Sequence, residues 1–560
     1  MAGAQAVYTL GIDFGSQSVR CVVVDVRDGR EVGSAAFPYP SGVNGVLGDP
    51  KDPHLARQNP RDYLDGLAAV VPAALKPAAL AVKGFTPAQV VGIGVDTTGS
   101  TPIPVDERLR PLAFQKKFAT NPNAMAWMWK DHTAMDEAAR ITGLAAKLHP
   151  EYLAKCGGTY SAEWFFAKIW HCRKVDPAVF AAAHTWIEFA DFIPAVLAGV
   201  TAAKDLKAGI CAAGHKAMFN AEWGGYPERK FLAKLDPALG KLRDRLAATA
   251  YAADQPAGQL GAEWAETLGL KAGIPVTVGA FDAHLGAVGA GCAPGRMVKI
   301  IGTSTCDCLV APAKAKVPDI PGVCGIVRGS ILPGLVGIEA GQSAVGDIFE
   351  WFVTKICQAD KGHFKQLTAA AAALKPGESG LLALDWNNGN RTVLADPRLT
   401  GLMLGMTLHT TQAEMYRALV EATAFGARRI LDRIEEYGVK VKEVVCCGGI
   451  AEKDALFMQI YADVLGRPMK VSRSAQACAL GGAVMAAVAA GVYRKAEDAQ
   501  RAMCGFKEKV YKPAAAARKV YDKLYALYGE LHDSFGVKGA TFDHAGVMKQ
   551  LLAISKAAKG

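Results

Sequence analysis

The stretch YTLGIDFGSQSVRCVVVDV (residues 8–26) decides the fold. An apolar run reaches Phe14, Gly15-Ser16 turns the chain, and an alternating Val-rich run leads away, which is the pattern of strand, tight turn and strand. The tip of such a hairpin offers backbone N–H groups and the Ser16 hydroxyl to a phosphate. Asp13, just before the glycine, is poised to hold a cation that neutralises phosphate charge. Alone, the stretch reads equally well as an ordinary β-turn to which Asp13 is hydrogen-bonded. MVKIIGTSTCDCLVAP (297–312) repeats the pattern: an apolar strand, Gly302, the hydroxyls Thr303, Ser304 and Thr305, and a second strand. Two such hairpins, one opening each half, point to a duplication with two phosphate loops facing each other across a cleft.

Between the hairpins lies GAFDAHLGAVGAG (279–291). The apolar IPVTV before it reads as a buried strand, and the small residues after Asp282 allow a helix to pack closely on neighbouring backbone. Asp282 either caps that helix or brings a carboxylate to a reaction, and the stretch by itself leaves both open. VVGIGVDTTGSTPIPV (90–105) is another buried strand ending in a polar loop of small residues. NPNAMAWMWKDHTA (121–134) groups Trp127, Trp129, Lys130, Asp131 and His132, either as a sugar site of rings beside charges or as core tryptophans with a solvated tail. Residues 150–250 are rich in aromatics, with a helix starting near Ser161 and a loop-like GICAAGHKAM. They read as an elaboration on the first domain, in the manner of a substrate lid.

In the second half, VKEVVCCGGIAEKDALFMQIYADVLG (441–466) runs from a buried strand through Gly448-Gly449 into an amphipathic helix, a place for a nucleotide to lie. QACALGGAVMAAVAAG (476–491) reads as a further strand–loop–helix, and Val520 to Phe535 as a packing helix. No G-x-x-x-x-G-K-[ST], G-x-G-x-x-G after a strand, or G-x-S-x-G occurs, which leaves P-loop, dinucleotide and serine-hydrolase readings unsupported.

With 560 residues, 51% of them hydrophobic and 21% charged, the chain has the material for at least two large domains and is no disordered or fibrous protein. The net charge of +10 is dispersed; it suits phosphorylated ligands as well as nucleic acid, and no nucleic-acid partner is expected. The thirteen cysteines form no spaced metal knuckle and read as reduced, buried thiols. The uncharged run Ala477 to Tyr493 is short and Gly/Ala-rich, hence a buried helix, so no membrane is expected. No signal-peptide pattern precedes the first strand, and a cytoplasmic protein is expected.

Assembled, these segments resemble the FGGY carbohydrate kinases of the actin-like, sugar kinase and heat-shock ATPase superfamily. The resemblance is carried by GIDFGSQSVR (11–20), GIGVDTTGSTPIPVD (92–106), NPNAMAWMWKDHTA, GAFDAHLGAVGAG, IGTSTCDCLV (301–310), GIEAGQSAVGDIFEWF (337–352) and CCGGIAEKDALFMQIYADVL (446–465). It implies an α/β protein of two ribonuclease H-like domains around a cleft, each with a five-stranded mixed sheet. Residues 1–293 would carry the sugar and 294–560 mainly ATP. It also implies ATP- and Mg²⁺-dependent transfer of the γ-phosphate to the 5-hydroxyl of L-ribulose, as in L-arabinose catabolism. Another pentulose or pentitol is the alternative, and an actin-like nucleotide switch without kinase activity a remote one. Asp282 would be the general base, for which an ordinary carboxylate pKa suffices. Asp13 would position Mg²⁺; Gly15, Ser16, Gly302, Thr303 and Thr305 would hold phosphates; and Gly448, Gly449 and Lys453 would face the adenosine side. Gly99, Trp129, Lys216 and Glu339 would join Asp282 around the sugar. A homodimer is compatible with the resemblance.

Overall fold

The computed structural model describes residues 7–559. Its centre is two sheets built on one plan. In the first, strands run in the order Glu31–Pro38, Ser18–Asp25, Tyr8–Phe14, Val90–Thr97, Pro275–Thr277; in the second, Val336–Ala340, Thr305–Ala311, Arg296–Ile301, Glu443–Cys447, Met469–Ser472. In both, the first three strands are antiparallel and the last three parallel. The duplication read from the two hairpins is therefore a duplication of a whole five-strand topology. Each sheet has seven strands rather than the five expected. The additions are Pro256–Gln259 and Ala280–Phe281 in the first, and Gly325–Arg328 and Phe506–Tyr511 in the second. Three of them add to an edge of the shared order, and Ala280–Phe281 pairs with Val90–Thr97 beyond the end of Pro275–Thr277.

Each fifth strand leads to a helix, Asp282–Gly289 in the first half and Ala477–Ala489 in the second, and these two pack on each other. Their small residues make this possible. A methyl group at Gly289 would lie 2.0 Å from the Ala477 carbonyl oxygen, and one at Gly481 1.9 Å from that of Leu285. Helix Ala477–Ala489 also lies on the first sheet, where a methyl at Gly94 would sit 1.9 Å from the Gly482 oxygen and one at Gly11 1.7 Å from that of Ala479. Within the run Ala477 to Tyr493 the buried helix expected spans Ala477–Ala489, with its strand lying earlier at Met469–Ser472 rather than after residue 476. The helix joins the two halves through a core containing Val22, Leu285, Val298, Val445 and Leu480.

The outer face of the first sheet is covered by Pro60–Ala81, which buries Tyr63, Leu67, Val70, Val71 and Ala74. That helix alone among the described residues is long and apolar enough to cross a membrane, and its apolar stripe faces the sheet. The second sheet is covered by Gln412–Glu436 and Ala455–Leu465, and the expected C-terminal packing helix is Ala515–Gly536, with Tyr521, Leu524, Tyr528 and Leu531 buried. The helix expected from Gly449 onward is broken at Asp454, which caps Ala455–Leu465 through the Phe457 amide. The aromatic-rich region has its own core around Trp127, Phe166, Trp170 and Trp186, and its helix begins at Phe165 rather than near Ser161. Nine of the thirteen cysteines are buried and all are free thiols.

The close backbone approach has a measurable cost when violated. Gly94→Ala must push helix Ala477–Ala489 off the sheet, and overpacking of this kind costs about 1–3 kcal/mol. Urea unfolding should show the lowered midpoint, whereas Gly143→Ala, in the interior of helix Met135–Leu148 with open space around its Cβ position, should raise stability by about 0.5–1 kcal/mol.

Candidate active site

Three chain segments end at one place with a carboxylate. Asp13 near the end of Tyr8–Phe14 stands opposite Asp96 of Val90–Thr97, and Asp96 stands opposite Ala280, two residues before Asp282. Asp13 and Asp96 are buried, and neither oxygen of Asp96 has a hydrogen-bond partner among the described residues. With Cys478 Sγ they offer three ligand atoms within 4.8 Å of one another. Burial raises the Asp13 pKa even with the Arg20 guanidinium 3.5 Å away. Asp96 is raised well above the usual carboxylate range, first by burial and then by the charges of Asp13 and Asp282.

Asp282 opens the helix Asp282–Gly289, its Oδ1 accepting from the Ala283 amide at 2.6 Å. The N-cap is Phe281, so Asp282 stands one position inside the helix and meets one free amide of the first turn rather than capping it. Its pKa is pushed up to about 7, by burial first and by Asp13 next, with the Ala283 amide opposing. An ordinary value would suffice for a base so placed, and the site gives a higher one, because burial and the Asp13 charge both oppose ionisation. Asp96 was not among the expected site residues; its signal is GVDTTG, an acid at the end of the parallel strand beside Asp13.

On the other side of this corner, Lys216 ends helix Ile210–Lys216 and donates to Glu339 Oε1 of strand Val336–Ala340 at 2.7 Å. The pair joins the first half of the chain to the second. Burial alone would raise Glu339, but Lys216 outweighs that and holds it well below the usual range. Burial would lower Lys216, and Glu339 outweighs that to raise it. Both groups are thus charged. Gly99 lies against Phe281, whose ring a Cβ at that position would meet at 1.8 Å, which brings the loop after Val90–Thr97 next to Asp282. Trp129 Nε1 donates to Ser16 Oγ at 2.9 Å, so an expected sugar residue and an expected phosphate residue touch.

The remainder of NPNAMAWMWKDHTA is divided. Trp127 is core, as the bland reading had it, while Asp131 is buried in an ion pair with Arg57, whose guanidinium lies 3.3 Å over the Trp127 ring. Lys130 alone of the three residues Lys130, Asp131 and His132 is exposed. Beneath this segment the buried Lys168 ammonium donates to the carbonyls of Ser100 at 2.8 Å and Met128 at 2.7 Å, while Glu188 accepts from the Ser100 hydroxyl and from the Thr101 amide at 2.8 Å. These two residues hold the loops that carry Gly99 and Trp129, and no local pattern in the sequence marks them. Burial lowers the Lys168 pKa to about 8.

The second hairpin exposes Gly302 and Thr303 at its tip, while its backbone carbonyls are held from behind. Gly302 O accepts from the Gly346 amide at 3.2 Å, and Thr303 O from those of Val345 at 2.8 Å and Asp347 at 3.1 Å. Thr305 lies beneath the tip, its hydroxyl accepting from the Gln342 amide at 3.0 Å and from Lys299 Nζ at 3.4 Å. Its side chain braces the loop from within. Gly448, at φ 101°, closes the strand Glu443–Cys447 against the same hairpin, where a Cβ would come within 2.1 Å of the Ile301 oxygen. Gly449 is exposed at the start of Gly449–Lys453 and Lys453 is exposed at its end.

Comparison with known proteins agrees with this geometry. Residues 8–289 match the FGGY family of carbohydrate kinases, N-terminal domain, and residues 297–490 the C-terminal domain of the same family. The chain is 42% identical to a ribulokinase of Shouchella clausii over 99% of both chains, and 42% identical to one of Vibrio parahaemolyticus over 94% of this chain and 95% of that one. In fold it is similar to the xylulose kinase of Rhodospirillum rubrum, with a TM-score of 0.75 at 24% identity, covering 95% of this chain and 100% of that one. The chain belongs to the FGGY family of carbohydrate kinases. It is an ATP-dependent enzyme acting on a small sugar.

The raised pKa of Asp282 links to stability with a definite sign. An acid whose folded pKa lies above its unfolded value of about 3.9 costs stability as pH rises between the two values, and the full cost is present above the higher one. Asp282→Asn removes that cost. Its thermal midpoint should match the wild type near pH 4 and exceed it at pH 8, as measured by calorimetry at both pH values.

Proposed function

We propose that the protein transfers the γ-phosphate of ATP to the 5-hydroxyl of L-ribulose, giving L-ribulose 5-phosphate. The observation that carries this reading is the packing of Gly99 and Lys216 against Phe281, next to Asp282, with Glu339 on Lys216 and Trp129 on Ser16, in a chain 42% identical over 99% of its length to a ribulokinase. Asp282 takes the proton from the attacking hydroxyl. A base titrating near 7 is well matched to that task, since about half of it is ionised at neutral pH and that form is basic enough to draw the proton as the bond forms. Lys216 and Glu339 bind sugar hydroxyls by charge-assisted hydrogen bonds, and the Trp129 ring offers a face for the carbon skeleton.

The Gly15 and Gly302 amides close the two turns onto the Ser18 and Ser304 carbonyls at 3.0 and 2.9 Å, so the amides of Ser16 and Thr303 at the hairpin tips approach the β- and γ-phosphates, and Gly448, Gly449 and Lys453 face the nucleoside. Asp13 and Asp96 suit Mg²⁺, because a hard cation takes carboxylate oxygens and waters, and the unpartnered oxygens of Asp96 provide what it needs. Bound there, Mg²⁺ neutralises phosphate charge. We place the division between the sugar-binding and ATP-binding halves near residue 293, so that cleft closure brings the two hairpins together. The cytoplasm suits the enzyme, since it supplies ATP and keeps the thiols reduced.

ADP release measured over a panel of L-ribulose, D-ribulose, xylulose and ribitol should be fastest with L-ribulose, and a higher kcat/KM for any other member would reassign the substrate. Asp282→Asn should lower kcat by about 10²–10⁴-fold, the usual worth of a general base. In the wild type, kcat/KM should fall with acid below about pH 7 and level off above it, because the protonated carboxyl cannot accept the proton.

A further inference from the structure

Behind the Lys216–Glu339 pair lie two histidines that the proposed transfer leaves unused. Lys216 occupies Glu339 Oε1, while Oε2 faces His215 Nδ1 at 3.2 Å and His284 Nε2 at 3.4 Å, with the two imidazole centroids 4.6 Å apart. His215 and His284 are each 1% exposed and Glu339 6%. Glu339 Oε2, His215 Nδ1 and both ring nitrogens of His284 have no hydrogen-bond partner among the described residues. A buried histidine with neither nitrogen satisfied is costly and calls for a ligand.

The tautomer of His215 follows from its other nitrogen. Ser330 Oγ donates its single proton to the Val327 carbonyl at 3.0 Å, so towards His215 Nε2, 2.9 Å away, it can only accept. The ring proton is therefore on Nε2. In the neutral ring, Nδ1 then presents a lone pair to a carboxylate oxygen 3.2 Å away. Two acceptors at this distance repel each other unless a positive centre lies between them. A ring whose far N–H is fixed by a hydrogen bond, leaving the near nitrogen bare, is how proteins prepare a histidine for a metal. The spacing agrees: a tetrahedral ion bonded at roughly 2.0–2.2 Å to nitrogen and oxygen sets neighbouring ligand atoms about 3.3 Å apart.

We propose that His215 Nδ1, His284 Nε2 and Glu339 Oε2 form a binding site for a zinc-type divalent cation. Two imidazoles with one carboxylate select such an ion over Mg²⁺, which prefers oxygen ligands. The site stands on this geometry alone. Its consequence, that the ion and the sugar compete for Glu339, rests on the reading of Glu339 given under Proposed function.

Co²⁺ is a spectroscopic probe for such a site. Titrated into the metal-free full chain without ATP or sugar, it should bind one ion per chain with intense tetrahedral visible absorption and no near-ultraviolet thiolate band. His215→Gln and His284→Gln should each weaken binding at least about tenfold. Ser330→Ala, which removes only the hydrogen bond behind His215, should weaken it about 10–100-fold with the circular dichroism spectrum unchanged. Absorption that does not develop, that keeps full affinity in all three variants, or that carries the thiolate band overturns the site. L-ribulose should raise the apparent Co²⁺ dissociation constant. Co²⁺ binding that meets the other criteria but ignores the sugar overturns the assignment of Glu339 to the sugar and not the cation site.

Discussion

The structure depends on a seam in which backbone meets backbone. Helix Ala477–Ala489 lies against Gly11 and Gly94 of the first sheet and against Gly289 of the helix that Asp282 opens, at distances no side chain could occupy. Close approach of this kind yields dense dispersion contact and leaves almost no freedom to slide. It fixes the ends of Tyr8–Phe14 and Val90–Thr97 and the start of Asp282–Gly289 relative to one another. Those are the three places that carry Asp13, Asp96 and Asp282.

From that constraint the electrostatics follow. Three carboxylates held in one dry corner cannot all ionise cheaply, so their pKa values rise, and the one at the helix start reaches about 7. A short distance away the opposite design holds, where Glu339 is kept ionised by Lys216 and the ion pair binds the two halves together. One corner therefore holds a carboxylate ready to accept a proton and another that stays charged. Environment alone separates them. The protein stores instability at the first group, beside Asp96 oxygens that have no hydrogen-bond partner among the described residues.

Much of this was legible in the chain. The hairpins around Gly15-Ser16 and Gly302 declared themselves by an apolar run, a glycine and an alternating run, because tight turns demand small residues at fixed places. The acid in GAFDAHLGAVGAG was visible, and so was the small-residue helix after residue 476. What was hidden depends on distant partners. Seven strands rather than five in each sheet reflect short edge pairings such as Gly325–Arg328, which have no sequence pattern of their own length. Asp96 became a site residue through its register with Asp13, and Lys168 through carbonyls 40 and 68 residues away along the chain. The pKa of Asp282 was out of reach for the same reason, since burial and Asp13 set it.

The central claim is that Asp282 owes its basicity to its burial and, next, to the Asp13 charge the seam forces beside it. Infrared or carbon-13 titration of the Asp282 carboxyl, in the wild type and in Asp13→Asn, tests it directly. The account requires a midpoint near 7 in the wild type that falls when the Asp13 charge is removed. A wild-type midpoint near that of free aspartate, or one that Asp13→Asn leaves in place, would contradict it.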